Sequence, residues 1–183
     1  MHSDTRLDLI AHVTERASAA AFGKPLITNV HRGLVVETIV ATALEPEWQW
    51  CSADYASWDF ENAAGLRLEV KQSAAWQSWS TPDAKASACS FDIAARTGRW
   101  EGAIWFEEAG RHAHLYVFAH HPGVGSAVDH RDPLQWVFYV VATKHLPAAR
   151  RISLAPVRRL AEACSYSDLR ASVERVAADF AVG

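Results

Sequence analysis

The stretch that decides the fold of this chain is Gly65–Ala74, which reads GLRLEVKQSA. Its apolar and charged side chains alternate, as they do in a β-strand that has one face against a core. The apolar positions are Leu66, Leu68 and Val70, and the charged positions are Arg67, Glu69 and Lys71. An acid and a base therefore project together from one face of a short apolar strand.

Chain length and composition indicate a globular protein. The chain has 183 residues, of which 50% are hydrophobic and 21% are charged, which is enough for a sizeable core and argues against disorder. We therefore predict a single domain over residues 1–183, with helices at its N-terminus and a helical tail at its C-terminus. The eight tryptophans predict a core or a binding surface rich in large aromatic side chains.

The sequence favours a cytoplasmic location. Cys51, Cys89 and Cys164 are odd in number, widely spaced and outside any CxxC motif, which is typical of reduced thiols rather than of disulfides or a zinc site. The N-terminal residues lack the basic and apolar regions of a signal peptide. No apolar run is long enough to cross a bilayer, so we expect no membrane partner.

The predicted elements follow the order helices, strands, helices. Helical spacing of apolar residues predicts helices near 3–21, 31–44, 155–164 and 167–180. Strand-like runs lie near 55–60, 65–72, 86–94, 102–107, 115–120 and 136–143. Residues 122–133 are rich in Gly, Pro and Asp, which predicts an exposed loop. This order predicts an α/β (α+β) fold with the sheet in the middle.

Two further acids accompany Glu69 and Lys71. Asp59 stands between two aromatic residues on the preceding strand, and Glu37 shares a helical face with apolar residues, which is costly unless the acid is paired or binds a metal. Two carboxylates from adjacent strands form an oxygen-rich site suited to Mg²⁺. Such an ion polarises a phosphoryl oxygen and lowers the pKa of a bound water, while a lysine offsets the developing charge. These residue types point to phosphodiester hydrolysis.

The spacing of these residues resembles that of the PD-(D/E)XK nuclease superfamily, which has the restriction-endonuclease-like fold. The resemblance rests on Glu37 in a helix, on Asp59, and on Glu69-Val70-Lys71 within a strand. Longer segments look like a group of uncharacterised bacterial members of that superfamily, and together they cover most of the chain between about 29 and 146. They read WDFENAAGLRLEVKQSAAWQSW (58–79), FDI (91–93), LYVFAHH (115–121) and LQWVFYVVATKHL (134–146).

The resemblance implies a central mixed sheet flanked by helices and a role for each site residue. Asp59 and Glu69 would bind Mg²⁺, for which Mn²⁺ can substitute, with a contribution from the carbonyl of Val70. Lys71 would be the catalytic lysine. Glu37 would complete the acidic cluster, or position the lysine or a second metal.

The resemblance also draws attention to Gln77, because this position is polar in related nucleases and often faces their active site. Trp76 and Trp79 flank Gln77. They could stack on an unpaired base or pack in the core, and the sequence leaves both interpretations open.

Histidine and arginine clusters have simpler explanations. His112, His114 and the pair His120-His121 fit exposed or strand-end positions better than a zinc site, because adjacent strand residues face opposite ways and no cysteine pair accompanies them. The pairs Arg150-Arg151 and Arg158-Arg159 could contact phosphates or could mark solvated helix boundaries.

We therefore expect a Mg²⁺-dependent, endonuclease-like enzyme that acts on DNA. Because cutting both strands of a duplex needs two active sites or two events, a homodimer is also expected. The alternatives are a nucleic-acid-binding protein on the same scaffold without hydrolytic activity, and an unrelated α+β ligand-binding domain whose acids are surface charges.

Overall fold

The computed structural model describes residues 2–51, 57–101 and 103–180. Over these residues the chain forms four α-helices and nine strands. The helices are α1 (His2–Phe22), α2 (Asn29–Leu44), α3 (Leu154–Leu160) and α4 (Leu169–Ala178). The strands are β1 (Trp48–Trp50), β2 (Phe60–Asn62), β3 (Arg67–Ala74), β4 (Ser90–Asp92), β5 (Arg99–Glu101), β6 (Ile104–Phe106), β7 (Leu115–His121), β8 (Val137–Ala142) and β9 (Arg151–Ser153).

The described strands build one five-stranded mixed sheet with the order β1-β2-β3-β7-β8. β3 and β7 run parallel, and the other neighbours in this sheet run antiparallel. Two smaller two-stranded sheets, β4-β9 and β5-β6, accompany it. The mixed α/β class with a central sheet flanked by helices is therefore confirmed.

The alternation of β3 divides its side chains between the two faces of the sheet. Leu68 and Val70 are buried in a core that contains residues of α2 and α4. Glu69 and Lys71 lie on the opposite face, where Tyr116 and Phe118 are their partners on β7. Those two aromatic residues belong to a second core cluster, which includes residues of β4, β9 and α3. Both faces of the sheet are thus covered, and the charged pair of β3 stands beside an apolar cluster.

The shortest strands are the elements on which sequence and structure differ. The predicted strand 55–60 lies partly outside the described residues, and the described strand here, β2, begins only at Phe60. β1, β5 and β9 were not predicted, because a three-residue strand has too few positions to display alternation. Such strands are defined by the backbone pairing that their neighbours offer.

The predicted helix at the N-terminus is present as α1, but its apolar side chains are exposed. Leu7, Ile10 and Val13 each have more than half of their surface accessible to solvent. Within the three described ranges, none of the helices has the length and the apolar character needed to cross a membrane.

The loop at residues 122–133, predicted to be exposed, contributes to the interior. Val128 and His130 are both buried. His120 and His121 lie at the end of β7, which is the strand-end alternative of the prediction, and both are buried rather than exposed. Apolar alternation is the signal of burial in a strand, and it gives no information about a histidine in a loop.

His130 joins distant segments through both of its ring nitrogens. Nδ1 accepts a hydrogen bond from the backbone N–H of Ile27 at 3.1 Å, and Nε2 lies 3.1 Å from the carbonyl oxygen of Trp76. This network assigns the neutral tautomer with its proton on Nε2. Burial, followed by the positive charge of Arg32, lowers the pKa of His130 to about 4. Protonation would also place a donor on Nδ1, opposite the N–H of Ile27.

We expect acidification to reduce the stabilising effect of His130. The unfolded chain takes up the proton near the ordinary pKa of 6.5 and the folded chain only near 4, so the free energy of unfolding falls by about 1.4 kcal/mol per pH unit within this window. His130→Gln removes this titration. The stability difference between wild type and His130→Gln should therefore shrink as the pH falls from 6.5 toward 4, as measured by urea unfolding. A difference that stays constant with pH would contradict the assignment.

Candidate active site

The backbone around Asp59 places its side chain beside β3. Its N–H donates to the carbonyl of Leu68 at 3.0 Å, and its carbonyl accepts from the N–H of Cys51 at 2.8 Å. Phe60 is the antiparallel partner of Leu68. One further step in this register sets Asp59 opposite Glu69, on the face that carries the charged residues of β3.

Glu69 and Lys71 form an ion pair on that face. The ammonium of Lys71 donates to Oε1 of Glu69. Their side chains are 16% and 22% exposed, so the pair is partly withdrawn from water but still reachable by a ligand. The two residues are two positions apart in β3, and this spacing directs both side chains to the same face.

Asp59 has a partly buried carboxyl in a negative environment. Its Oδ2 accepts a hydrogen bond from the N–H of Val70 at 2.6 Å. Burial and then the negative charge of Glu69 raise the pKa of Asp59 to about 8, against the effect of the Val70 hydrogen bond. The charge of Glu37 raises this pKa further, and that of Lys71 lowers it. Asp59 therefore holds a proton through most of the neutral range.

Glu37 reaches the same cluster from α2. Its Oε2 accepts a hydrogen bond from the indole N–H of Trp50 at 3.3 Å, and the Trp50 ring stacks on Phe60 of the neighbouring strand. Burial is the main cause that raises the pKa of Glu37; the charge of Glu69 adds to the rise and that of Lys71 opposes it. Four of the five predicted catalytic residues are thus close enough to influence one another electrostatically: Glu37, Asp59, Glu69 and Lys71.

Gln77, the fifth predicted residue, lies in a different environment. It is buried, its Oε1 accepts from the guanidinium of Arg32 at 2.9 Å, and its side-chain amide donates to the carbonyl of Ala74 at 2.7 Å. Arg32 also donates to the side-chain oxygens of Gln72 and Asn29. Gln77 therefore ties the end of β3 to α2, and its participation in catalysis stays a prediction.

Trp76 and Trp79, which flank Gln77, differ in exposure. Trp76 is buried, whereas 69% of Trp79 is exposed. Trp76 therefore packs in the core, as one interpretation predicted. Of these two tryptophans, only Trp79 has a ring that is exposed enough to stack on a base.

Three residues that sequence reasoning did not assign adjoin Glu69 and Lys71. Asp92, His112 and Tyr116 line the same small concavity. Burial alone would raise the pKa of Asp92, but the N–H of Ala94 and the charges of Arg96 and Lys71 lower it overall. The available signal for Asp92 was its position between two apolar residues of a strand, and that signal does not specify which strand pairs with which.

The carboxylate set fits a hard divalent cation in chemistry, although it is not arranged as a ligand shell. Among the residues described, no three acidic, histidine or cysteine side chains are placed to hold a metal ion. The carboxyls of Glu37 and Asp59 nevertheless have raised pKa values partly because acids crowd together. Carboxylate and carbonyl oxygens are the ligands that Mg²⁺ prefers. Binding would require Asp59 to release its proton and Glu69 to exchange its contact with Lys71.

No protein-family model matches this sequence, and the comparison with curated proteins found no match.

We expect Asp59→Asn to become more stable relative to wild type as the pH rises. The folded pKa of about 8 lies above the ordinary 3.8, so wild type loses stability as the pH rises between these values, whereas the asparagine has no proton to lose. The relative gain should reach about 1.4 kcal/mol per pH unit. The measurement is denaturant unfolding in metal-free buffer.

The matched control for this experiment is Asp83→Asn, which alters an exposed acid in the loop that follows β3. Its stability relative to wild type should not follow the same trend. If Asp59→Asn and Asp83→Asn show the same pH dependence, Asp59 does not carry the raised pKa.

Proposed function

We propose that this chain is a Mg²⁺-dependent nuclease that hydrolyses phosphodiester bonds in DNA, with the PD-(D/E)XK arrangement that its sequence resembles. The observation that supports this proposal is that Asp59, Glu69 and Lys71 lie on one face of the sheet with Lys71 in contact with Glu69, while Glu37 on α2 is near enough to act on them electrostatically. Placing three acids and one lysine on apolar helices and strands reduces the free energy of folding that these elements can contribute. A function in which the acids bind a cation and the lysine stabilises anionic charge accounts for that cost.

The proposed roles follow from the position of each group. Asp59, Glu69 and the carbonyl of Val70 would hold the metal ion. When bound, such an ion polarises a phosphoryl oxygen and lowers the pKa of a coordinated water. The ammonium of Lys71, released from Glu69, would stabilise the charge that develops on the phosphoryl oxygens while water attacks phosphorus and a P–O ester bond breaks. Glu37, held by Trp50, would add negative charge that retains the cation.

Lys71→Ala should reduce cleavage by about 100-fold or more, because it removes the cation that faces the developing charge. Plasmid and single-stranded DNA are incubated with the protein in Mg²⁺ or Mn²⁺, and EDTA should abolish the reaction. Lys85→Ala is the matched control, since Lys85 is an exposed lysine in the loop after β3. Equal cleavage rates for wild type and Lys71→Ala would overturn the catalytic assignment.

Lys71→Met should bind Mn²⁺ about tenfold more tightly than wild type, a change equivalent to about 1.4 kcal/mol. The methionine fills similar space but cannot pair with Glu69, so the carboxylate becomes available to a metal ion. Electron paramagnetic resonance of free Mn²⁺ measures this binding without any need for activity. Glu69→Gln should bind Mn²⁺ more weakly than wild type. Weaker binding by Lys71→Met would contradict the shared site.

One observation favours the alternative of a hydrolytically silent nucleic-acid-binding protein. The carboxylate of Glu69 is paired with Lys71, and the protonated carboxyl of Asp59 accepts from the N–H of Val70, so neither group needs a metal ion to be stable. DNA binding without cleavage under any divalent cation would select this alternative. Absence of both binding and cleavage would instead favour an unrelated ligand-binding domain.

A further inference from the structure

A groove rich in arginine opens beside the acidic cluster, which we define as Glu37, Asp59 and Glu69. Arg96, Arg111 and Arg150 line it together with alanines and Thr143, and no acidic side chain is among the described residues that line it. The groove shares Ala94, Arg96 and Arg111 with the concavity that contains Glu69 and Lys71. The two depressions are therefore adjacent.

The fold fixes the positive charge of this groove in place. The guanidinium of Arg111 donates only to backbone carbonyls in its described hydrogen bonds, so these bonds orient the group but do not cancel its charge. Its acceptors are Ile93, Leu146, Pro147 and Ala149. Arg150 is exposed at the groove, and Arg96 contacts Asp92 where the groove meets the concavity. Such a positive surface complements the phosphate backbone of a nucleic acid.

An aromatic hairpin formed by β5 and β6 also adjoins the concavity. Its link to the site is the N–H of Trp100, which donates to Oγ of Ser57 at 3.1 Å, since Ser57 lines the concavity. Trp105 and Phe106 remain 44% and 38% exposed, and the guanidinium of Arg99 lies over the Phe106 ring. Exposed aromatic rings together with a cationic groove are the features with which proteins hold unpaired bases.

We propose that the arginine groove and the β5-β6 hairpin together bind a single-stranded segment of nucleic acid and lead it to the acidic cluster. The phosphates lie along Arg96 and Arg150, and bases stack on Trp105 and Phe106. A paired duplex keeps its bases inside the stack and cannot use the hairpin in this way. This inference rests on the proposed nuclease function for the role of the cluster, but the binding site itself can be tested without hydrolysis.

The test measures fluorescence anisotropy of a labelled thymidine oligonucleotide and of a duplex of the same length, in EDTA so that no metal-dependent cleavage occurs. Wild type should bind the single strand more tightly than the duplex. Arg150→Ala should weaken binding and make the slope of log K against log salt shallower by about 0.7, the value for one lost phosphate contact on a single strand. Trp105→Ala should weaken binding about 5- to 100-fold with little change in that slope, and Trp105→Phe should restore much of the loss.

Two matched variants control for surface charge and for loss of a large exposed apolar side chain. Arg16→Ala alters an exposed arginine on α1, and Leu134→Ala alters an exposed leucine before β8; neither residue lines the groove or the concavity. Both should bind like wild type. Circular dichroism confirms that each variant is folded.

The outcomes separate this inference from the proposed function. If wild type cleaves DNA but Arg150→Ala and Trp105→Ala bind like wild type, the single-strand site is wrong and the nuclease proposal stands. Tighter binding of the duplex than of the single strand also overturns the inference. If those two variants weaken binding as expected but wild type hydrolyses nothing with Mg²⁺ or Mn²⁺, the binding site stands and the nuclease proposal falls.

Discussion

The antiparallel pairing of β2 with β3 is the constraint on which both the core and the candidate site depend. With Phe60 opposite Leu68, both side chains enter the core beneath α2, and the next pair in the register, Asp59 and Glu69, projects from the other face. A shift of one residue would exchange the faces and place a carboxylate in the apolar core. The burial of Phe60 and Leu68 therefore stabilises the same register that brings the two acids together.

This register stabilises the sheet, but it also brings acids that repel one another close together. Asp59, Glu69 and Glu37 repel one another in a partly buried position, and the chain reduces the repulsion in two ways. Lys71 neutralises Glu69 through an ion pair, and Asp59 keeps its proton because burial and the charge of Glu69 raise its pKa. In the proposed function, a divalent cation would replace the proton of Asp59 and release Lys71 from Glu69. The contacts that stabilise the fold thus hold the groups that the proposed reaction would need.

Helices and strands could be predicted from the sequence where a pattern extended over many residues. The alternation in β3 and the β-branched and aromatic run in β8 identified the main strands, and helical spacing identified α2 and α4. Glu37, Asp59 and Glu69 could be grouped because each is an acid on an apolar element, and the superfamily resemblance added a role for each; spacing alone does not reveal which elements meet. The positions of Asp92 and His112 could not be predicted, since they depend on how the small β4-β9 sheet and the loop before β7 pack against the central sheet.

Gln77 and Arg32 show how a polar residue can be explained by folding alone. Arg32 carries a buried positive charge whose described hydrogen bonds go to three amide oxygens, those of Asn29, Gln72 and Gln77. Each of these oxygens is neutral, and burial lowers the pKa of the guanidinium to about 10. This arrangement satisfies the hydrogen-bonding capacity of Gln77 and fixes α2 against the end of β3. Because Glu37 lies on the same helix, little more than one turn beyond Arg32, the network also sets where the helix presents its acid to the strand. A polar residue near a nuclease-like motif can thus serve the site by orienting the elements that carry it, without contact with the substrate.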